Sequence, residues 1–114
     1  MKQGDSLFLR HILDAIARIE QYVQGLDREG FGENLLVQDR VIRQITVIGE
    51  AVKSLSNELR DEYTRIPWQD IAGMRDKLIH RYFGIDLETV WLTVRDDLPV
   101  LKSEVANILE ELEQ

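Results

Sequence analysis

The residues whose types and spacing could do chemistry are Arg75, His80 and Tyr82, which form the pattern R-x4-H-x-Y. Histidine transfers protons near neutral pH, because its unperturbed pKa is about 6.5. Arginine stays charged and presents a planar fork of N–H donors that matches phosphate oxygens. The pair could therefore move a proton and stabilise the negative charge of a phosphorane. One chain lacks a second proton-transfer group; two-fold pairing could supply a second His80, or water could act in its place.

The element that must position these residues is predicted to be a single helix over residues 68–82, about four turns long. Pro67 lies close to the first helical position, where its missing N–H costs nothing. Gly84 is a suitable C-terminal stop, because glycine accepts the left-handed conformation. A stripe that is buried or faces a partner follows helical steps of four, three, four and three: Trp68, Ala72, Arg75, Ile79 and Tyr82.

Arg75 thus falls inside an apolar stripe, where an unpaired charge is costly. It needs an acidic partner, a dimer seam or a site that uses a cation. His80 lies about 140° round a straight helix from Arg75. Either the helix loosens near Gly84, or the two side chains line a wide groove that a second chain completes. The second arrangement predicts a site at a two-fold interface.

Length and composition predict one cytoplasmic, globular domain over residues 1–114. Charged residues make up 31% and hydrophobic residues 44% of the chain, which is an ordinary balance for a soluble protein. The net charge of −7 argues against binding of nucleic acid over a broad basic surface. The chain has no cysteine, which excludes disulfides and cysteine zinc sites, and no apolar run of membrane-spanning length. We expect neither a metal nor a cofactor.

The other helices are predicted from apolar residues at helical spacing. Asp5 or Ser6 is suited to cap a first helix, which ends at the glycine-containing break over residues 25–32. A second helix is predicted over residues 34–56. Gly49 inside it weakens the helix by about 1 kcal/mol relative to alanine. Close packing against a neighbouring element is the expected reason for this glycine.

The second half of the chain completes an all-α fold. A short third helix is predicted to start near Ser56. Asp86 is suited to cap the last helix, which Pro99 should kink or restart. No period-two run bounded by hairpin turns is present in the sequence. The predicted fold is therefore a bundle of four long helices plus a short one, with mostly antiparallel neighbours.

The motif Arg75-x4-His80-x-Tyr82 and its surroundings resemble the HEPN superfamily, and within it the HepT-like toxin group most closely. The motif is framed by the segments IPW at 66–68 and YFGID at 82–86. The likeness extends to VIGEAVK at 47–53, to VW at 90–91 and to DLP at 97–99, so it covers nearly the whole chain. The R-x4-H pattern alone arises often by chance, whereas the ordered set of segments is much more specific.

The resemblance implies a HEPN-like homodimer whose R-x4-H residues lie in the cleft between protomers. It also implies a metal-independent endoribonuclease, the toxin of a type VII-like toxin–antitoxin pair. RNA can be cleaved without metal when its own 2′-OH attacks the adjacent phosphate, and Arg75 and His80 are suited to catalyse this reaction. The implied partner is a minimal, MntA-like nucleotidyltransferase antitoxin, which would neutralise the toxin by adding AMP to Tyr82.

Three residues beside the motif could support this site. Lys77 and Arg81 add local positive charge that would bind the RNA backbone, and this charge acts over about one Debye length of 8–10 Å. Asp76 could orient His80 or pair with Arg75, or it could be a solvated acid on the helix face.

The motif residues also have an interpretation without catalysis. Arg75 could be a buried, ion-paired arginine that bridges to Glu50 or Asp39, and His80 could cap a helix C-terminus. Tyr82 could be a half-buried core aromatic. The corresponding function is that of a non-catalytic HEPN scaffold, which presents a nucleotide or RNA groove to a partner nucleotidyltransferase. The acidic net charge favours this alternative, whereas the complete motif favours the ribonuclease.

Overall fold

Helices make up nearly all of the regular structure in the computed structural model, which describes residues 3–80 and 84–114 and only the backbone of Gln3 and His80. In chain order the elements are α1 (Gln3–Val23), α2 (Arg28–Gly32), α3 (Leu35–Ser54), α4 (Asn57–Glu62), α5 (Trp68–Ala72), α6 (Met74–Leu78), β1 (Ile79–His80), β2 (Gly84–Ile85), α7 (Leu87–Leu92), a π-helix (Thr93–Asp97) and α8 (Leu98–Leu112). The predicted all-α fold is confirmed for these residues, apart from one two-residue strand pair. None of the described helices is long and apolar enough to span a membrane.

The first two long helices, α1 and α3, run antiparallel, as predicted. Asp5, near the start of α1, bonds Ser56 just beyond the end of α3. At the other end of the pair, the Arg40 guanidinium near the start of α3 lies 5.7 Å from the centre of the Tyr22 ring near the end of α1. The chain therefore reverses between residues 24 and 34, around the break predicted at residues 25–32, although the short helix α2 lies inside that break.

The last helix, α8, packs against α1 and is also antiparallel to it. Lys102 near the start of α8 pairs with Glu20 near the end of α1, and Arg10 pairs with Glu113 at the opposite end. The apolar stripes of α1, α3 and α8 meet in one core, whose fully buried members include Leu9, Ile12, Ile16, Ile19, Val41, Ile45, Ile48, Val52, Val105 and Ile108. These side chains recur at helical spacing, so burial follows the sequence pattern.

Asp5 does not cap α1, because that helix begins earlier, at Gln3. The side chain is 2% exposed and faces the chain beyond α3. Its carboxylate accepts hydrogen bonds from the Ser56 N–H at 2.8 Å and the Ser56 hydroxyl at 2.6 Å. The Ser56 Oγ in turn accepts from the Leu59 N–H at 3.1 Å and so caps α4, whose predicted start is confirmed. The hydrogen bonds that this buried carboxylate needs come from a residue fifty-one positions away in the sequence.

Gly49 lies where α3 meets α5, and the predicted close packing is confirmed. A β-carbon at this position would lie 3.0 Å from the backbone oxygen of Ala72 and 3.6 Å from that of Ile71. The first distance is shorter than an ordinary carbon–oxygen contact, and the neighbour is backbone rather than a movable side chain. Glycine therefore allows α5 to approach α3 closely enough to hold the segment that follows.

We expect Gly49→Ala to lower the free energy of unfolding by about 1–2 kcal/mol, because overpacking outweighs the gain in helix propensity. Propensity alone predicts the opposite sign, a gain of about 1 kcal/mol. Gly4→Ala is the matched control, since a β-carbon there meets only the Phe8 ring, at an ordinary 3.6 Å. Urea unfolding of both variants measures the difference. A Gly49→Ala variant as stable as the parent would show that α5 does not press on α3.

The predicted single helix over residues 68–82 is wrong. It breaks at Gly73 between α5 and α6, and α6 ends at Leu78. Strand β1 then pairs antiparallel with β2, with Ile79 opposite Ile85 and His80 opposite Gly84. The chain thus has three long helical spans and four short helices in its described part, rather than four long helices and one short one. The predicted last helical turn at Arg81 and Tyr82 lies outside the described residues.

A tertiary hydrogen bond and the local backbone conformation favour the end of α6 at Leu78. The Asp86 N–H donates to the Leu78 backbone oxygen at 2.8 Å, which closes the hairpin immediately after α6. Gly84 has φ of +81°, so its left-handed conformation serves the hairpin rather than the C-terminus of a helix. Ile79, which is β-branched, is better suited to the strand than to the last turn of a helix.

The last helix contains the irregularity that Pro99 predicts. α7, the π-helix and α8 follow one another without interruption, and the Leu98 N–H donates to the Thr93 backbone oxygen, five residues earlier. Proline lacks an N–H and its ring clashes with the carbonyl four residues before it, so a regular α-helical turn is disfavoured here. The predicted Asp86 cap is confirmed, since its carboxylate accepts from the Thr89 N–H at 3.1 Å.

The connection between α4 and α5 is fixed by the aromatic residues at its two ends. The Trp68 side chain is 6% exposed, and its indole N–H donates to the Tyr63 backbone oxygen at 3.0 Å. The Tyr63 hydroxyl donates to the Glu111 carboxylate on α8, and this hydrogen bond, with smaller contributions from desolvation and the negative charge of Glu111, raises the pKa of Tyr63 to about 12. Trp68 is thus a core residue, as expected, and it directs the chain into the segment that carries the motif.

Candidate functional site

Arg75 is the second residue of the short helix α6, and its side chain is half exposed. The predicted stripe, which was to be buried or to face a partner, is not formed as one surface, because it needs a continuous helix and α6 has only five residues. The alternative ion pair with Glu50 is not formed either, since Glu50 is exposed and pairs with Lys53 at 3.5 Å. The acid next to Arg75 is Asp76, at 3.6 Å.

The contact between Arg75 and Asp76 leaves the guanidinium available. A distance of 3.6 Å is too long for a hydrogen bond, and an exposed ion pair of this kind contributes little to stability. The same Arg-Asp dipeptide recurs at Arg95 and Asp96, where two hydrogen bonds of 2.9 and 3.2 Å form. Those bonds hold the pKa of Asp96 below its usual value. Among the contacts between described residues, Arg75 is thus held more weakly than Arg95.

The backbone of His80 lies in β1, two residues beyond Leu78, which ends α6. The expected separation of about 140° on one helix therefore does not apply to Arg75 and His80. His80 is also not in the last turn of a helix, which removes the premise of the helix-cap interpretation. Arg81 and Tyr82 lie outside the described residues, as does the His80 side chain. Within the motif, the chain passes from helix at Arg75 to extended backbone at His80.

Lys77 lines a groove that the sequence did not reveal. The groove has a cavity volume of about 540 Å³ and runs between the α5–α6 pair and the last helix. Its walls are apolar and its rim is charged, and the lining residues are Arg65, Ile66, Pro67, Asp70, Ile71, Met74, Lys77, Leu78, Thr89, Thr93, Asp97, Leu98, Val100, Leu101 and Glu104. We call this the α5–α8 groove. Two residues apart on a helix, Arg75 and Lys77 point about 160° away from each other, so Arg75 lies on the other edge of α6.

Two ion pairs lie on the rim of the α5–α8 groove, one exposed and one with a partly buried carboxylate. Lys77 lies 3.5 Å from Asp70, and this pair connects α6 to α5 across the break at Gly73. Arg65 lies 2.8 Å from Glu104 and connects the chain before α5 to α8. Among the described residues, no group of three His, Asp or Glu side chains could hold a metal ion.

The family model for "Ribonuclease HepT-like" proteins matches residues 12–108, which is most of the chain and includes all of the R-x4-H-x-Y segment. This chain belongs to the HepT-like family. The HepT-like match extends from α1 into α8, so it covers both the long helices and the segment between them. The likeness seen in the sequence is confirmed by it.

Individual relatives agree with this assignment. A "Putative RNase" of Methanocaldococcus jannaschii is 42% identical over 113 residues, which are 99% of this chain and 97% of that protein. A "Probable ribonuclease HepT" of Thermococcus cleftensis is 40% identical over 104 residues, 91% of this chain and 94% of that protein. A "Gamma-glutamylcyclotransferase and putative RNase" of M. jannaschii is 44% identical over 114 residues, and this HepT-like chain spans about half of its length (51%). No solved structure matches this chain.

Proposed function

We propose that this chain is a metal-independent endoribonuclease, and that it acts as the toxin of a toxin–antitoxin pair. The observation that carries the proposal is membership of the HepT-like family together with a complete R-x4-H-x-Y motif. The exposure of Arg75 supports it, since the side chain is half exposed and its contact with Asp76, at 3.6 Å, is too long to be a hydrogen bond that would compete with a phosphate.

The proposed reaction uses the RNA's own 2′-OH as the nucleophile. His80 accepts the proton of this hydroxyl while its oxygen bonds to the adjacent phosphorus. Arg75 donates hydrogen bonds to the non-bridging oxygens, whose negative charge increases in the phosphorane. The bond from phosphorus to the 5′ oxygen then breaks, which leaves a 2′,3′-cyclic phosphate. The departing 5′ oxygen takes a proton from water or from a second copy of His80 in a homodimer.

The residues around the pair are proposed to assist rather than to react. Asp76 keeps the Arg75 guanidinium close to α6 without occupying its donors, because the two groups are 3.6 Å apart. Arg81 adds a cation one residue after His80 in the sequence, where it would bind the RNA backbone. Lys77, which lies on the other edge of α6, increases the local positive potential over about one Debye length of 8–10 Å.

The experiment that tests this function is RNA cleavage by purified protein in excess EDTA, with the intact mass recorded to verify that the protein is unmodified. We expect cleavage that EDTA does not reduce, with 2′,3′-cyclic phosphate ends on the products. Folded, unmodified protein that leaves RNA intact would contradict the proposal. The second candidate would then stand, a non-catalytic scaffold for a nucleotidyltransferase, which the net charge of −7 favours.

Tyr82 is the proposed site of control. An MntA-like nucleotidyltransferase antitoxin would transfer AMP from ATP to its hydroxyl and release pyrophosphate. We expect the parent chain to gain adenylyl mass and to lose RNA cleavage after incubation with such an enzyme and ATP. Tyr82→Phe should gain no mass and should still cleave RNA, because its side chain has no hydroxyl. Tyr22→Phe, on α1, is the control and should be modified like the parent. Adenylylation of Tyr82→Phe would place the modification on another residue.

A further inference from the structure

One face of the helix bundle carries clustered positive charge, although the whole chain is acidic. Arg40 near the start of α3 holds its guanidinium 5.7 Å from the centre of the Tyr22 ring near the end of α1. Because α1 and α3 run antiparallel, Arg18 and Arg43 both lie about one turn further toward the middle of this helix pair. The three arginines are exposed, and we call the surface formed by Arg18, Tyr22, Arg40 and Arg43 the α1–α3 face.

The arginines of the α1–α3 face differ from most other cations of the described chain, because no carboxylate pairs with them. Asp14 and Asp39 each stand four residues before an arginine of the face, a spacing at which helical side chains can pair. Neither forms an ion pair with Arg18 or Arg43 among the described residues. The cations that do pair with Asp or Glu at other places are Arg10, Arg28, Lys53, Arg65, Lys77, Arg95 and Lys102. The charge of this face is therefore available to an anion from outside the described chain.

The side chains of the face indicate which class of anion fits. A guanidinium presents a planar fork of donors that matches two phosphate oxygens. The Tyr22 ring with the Arg40 guanidinium against it is the kind of surface on which an unpaired base stacks. An acidic polypeptide would use the charges but has no base to place on the ring. Single-stranded RNA, which offers both phosphates and bases, makes fuller use of these four side chains.

We propose that the α1–α3 face binds single-stranded RNA. Arg18 and Arg43 contact phosphates of the strand, and a base stacks beside Tyr22 and Arg40. The inference rests on the proposed function, which names RNA as the substrate, and it adds a binding surface outside the R-x4-H segment. A short track of cations along one strand, rather than a broad basic surface, is compatible with the net charge of −7.

The position of the face on α3 relates it to the motif segment. Gly49 marks the edge of α3 that packs against α5, through the close approach to Ala72. Arg40 lies nine residues earlier and so points about 180° away from Gly49. Arg43 points between these two directions, about 60° from Arg40. A strand that crosses the outer side of α3 at Arg43 thus extends from the edge beside α5 to the α1–α3 face.

The first test measures affinity without cleavage. The probe is a fluorescent single-stranded 2′-O-methyl RNA, whose blocked 2′ oxygen cannot attack, and anisotropy gives Kd over a series of KCl concentrations. We expect Arg18→Gln combined with Arg43→Gln to raise Kd at least about tenfold and to reduce the slope of log Kd against log salt by about 1.4, or about 0.7 for each lost phosphate contact.

The matched control is Arg10→Gln combined with Arg95→Gln. It makes the same change in net charge at two exposed arginines that pair with Glu113 and Asp96. Its Kd should stay within about twofold of the parent value. Equal losses of affinity in the two double variants would show an effect of total charge alone and would overturn the proposal, as would a Kd that the first double variant leaves unchanged.

A second pair of variants tests the stacked base. Tyr22→Leu should raise Kd for the same probe at least about fivefold, because it removes the ring, whereas Tyr22→Phe should bind like the parent. Equal affinities of Tyr22→Leu and Tyr22→Phe would refute the stacking. Poly-L-glutamate, added at an equal concentration of charge, should displace little of the probe. Complete displacement would assign the face to acidic polypeptides and contradict the proposal.

The ribonuclease and the α1–α3 face can fail separately, because none of these measurements reads cleavage. A parent that binds the probe through Arg18 and Arg43 but leaves unmethylated RNA intact would contradict only the proposed ribonuclease. A parent that cleaves RNA, with equal Kd values for the parent and both double variants, would refute only the face.

Discussion

His80→Ala and Arg75→Ala are each expected to lower the rate of RNA cleavage at least about 100-fold, the usual contribution of one proton-transfer group or one charged donor to a transition state. The two losses should not add, because both side chains act on the same phosphorane. The measurement is the initial rate of cleavage in excess EDTA for the parent, the two single variants and the double variant. Circular dichroism should show unchanged helix content for Arg75→Ala, since its side chain is half exposed.

The chain offers a matched control for each substitution. His11 is the other histidine of the sequence, and it lies exposed on α1 with its ring 5.8 Å from the centre of the Phe8 ring. Arg95 repeats the Arg-Asp dipeptide of the motif on the π-helix and is similarly exposed. His11→Ala and Arg95→Ala should stay within about twofold of the parent rate, as expected for surface substitutions. Equal losses in His11→Ala and His80→Ala would show that the chemistry does not depend on the motif.

Asp5→Ala is expected to have the largest effect on stability, a loss of about 2–4 kcal/mol in the free energy of unfolding. The substitution removes a buried carboxylate that accepts two hydrogen bonds from Ser56, and it leaves the Ser56 N–H without this partner. Asp14→Ala is the control, since it removes an exposed carboxylate from the same helix and should cost less than about 0.5 kcal/mol. Urea unfolding monitored by circular dichroism provides the values.

A double-variant cycle distinguishes this network from a general effect of charge. Ser56→Ala removes the hydroxyl that donates to Asp5 and caps α4, and it keeps the backbone N–H that also donates to Asp5. If the hydroxyl bond determines much of the loss, Asp5→Ala combined with Ser56→Ala should cost less than the sum of the two single losses. Strict additivity would mean that the Asp5 carboxylate stabilises the fold by a route other than the Ser56 hydroxyl.

Local signals in the sequence were sufficient to predict the bounds of several helices. The bounds of α3, the start of α4 at Ser56 and the Asp86 cap each depend on residues within one or two turns of the helix end. The close approach at Gly49 was also predictable, because a glycine inside an amphipathic helix usually has a packing reason. At the helix ends the determining interaction lies close in sequence to the residue that signals it, whereas Gly49 signals a close contact without indicating its partner, Ala72.

The motif segment was not predictable in the same way, because distant contacts determine it. Residues 68–82 have helical spacing, yet α5 is held against α3 at Gly49 and α6 is closed by the hydrogen bond from the Asp86 N–H to the Leu78 oxygen. These contacts favour two short helices and a strand over one straight helix. The same error placed Arg75 on a continuous apolar stripe, whereas its side chain is half exposed on the short helix α6. The α5–α8 groove was missed because its walls come from elements that are adjacent only in the fold.

The π-helical turn at residues 93–97 determines how the lining of the α5–α8 groove would change if a residue were inserted or deleted there. Its hydrogen bond from Leu98 to Thr93 accommodates one more residue in the turn than an α-helix would. Deletion of one residue there would remove the extra residue of the π turn and rotate the two halves of the last helix by about 100° relative to each other. Thr89 and Leu101, which now both line the groove, would then face different directions. A change of one codon at this turn would therefore alter the surface that the chain presents, while the apolar stripes within each half stayed intact.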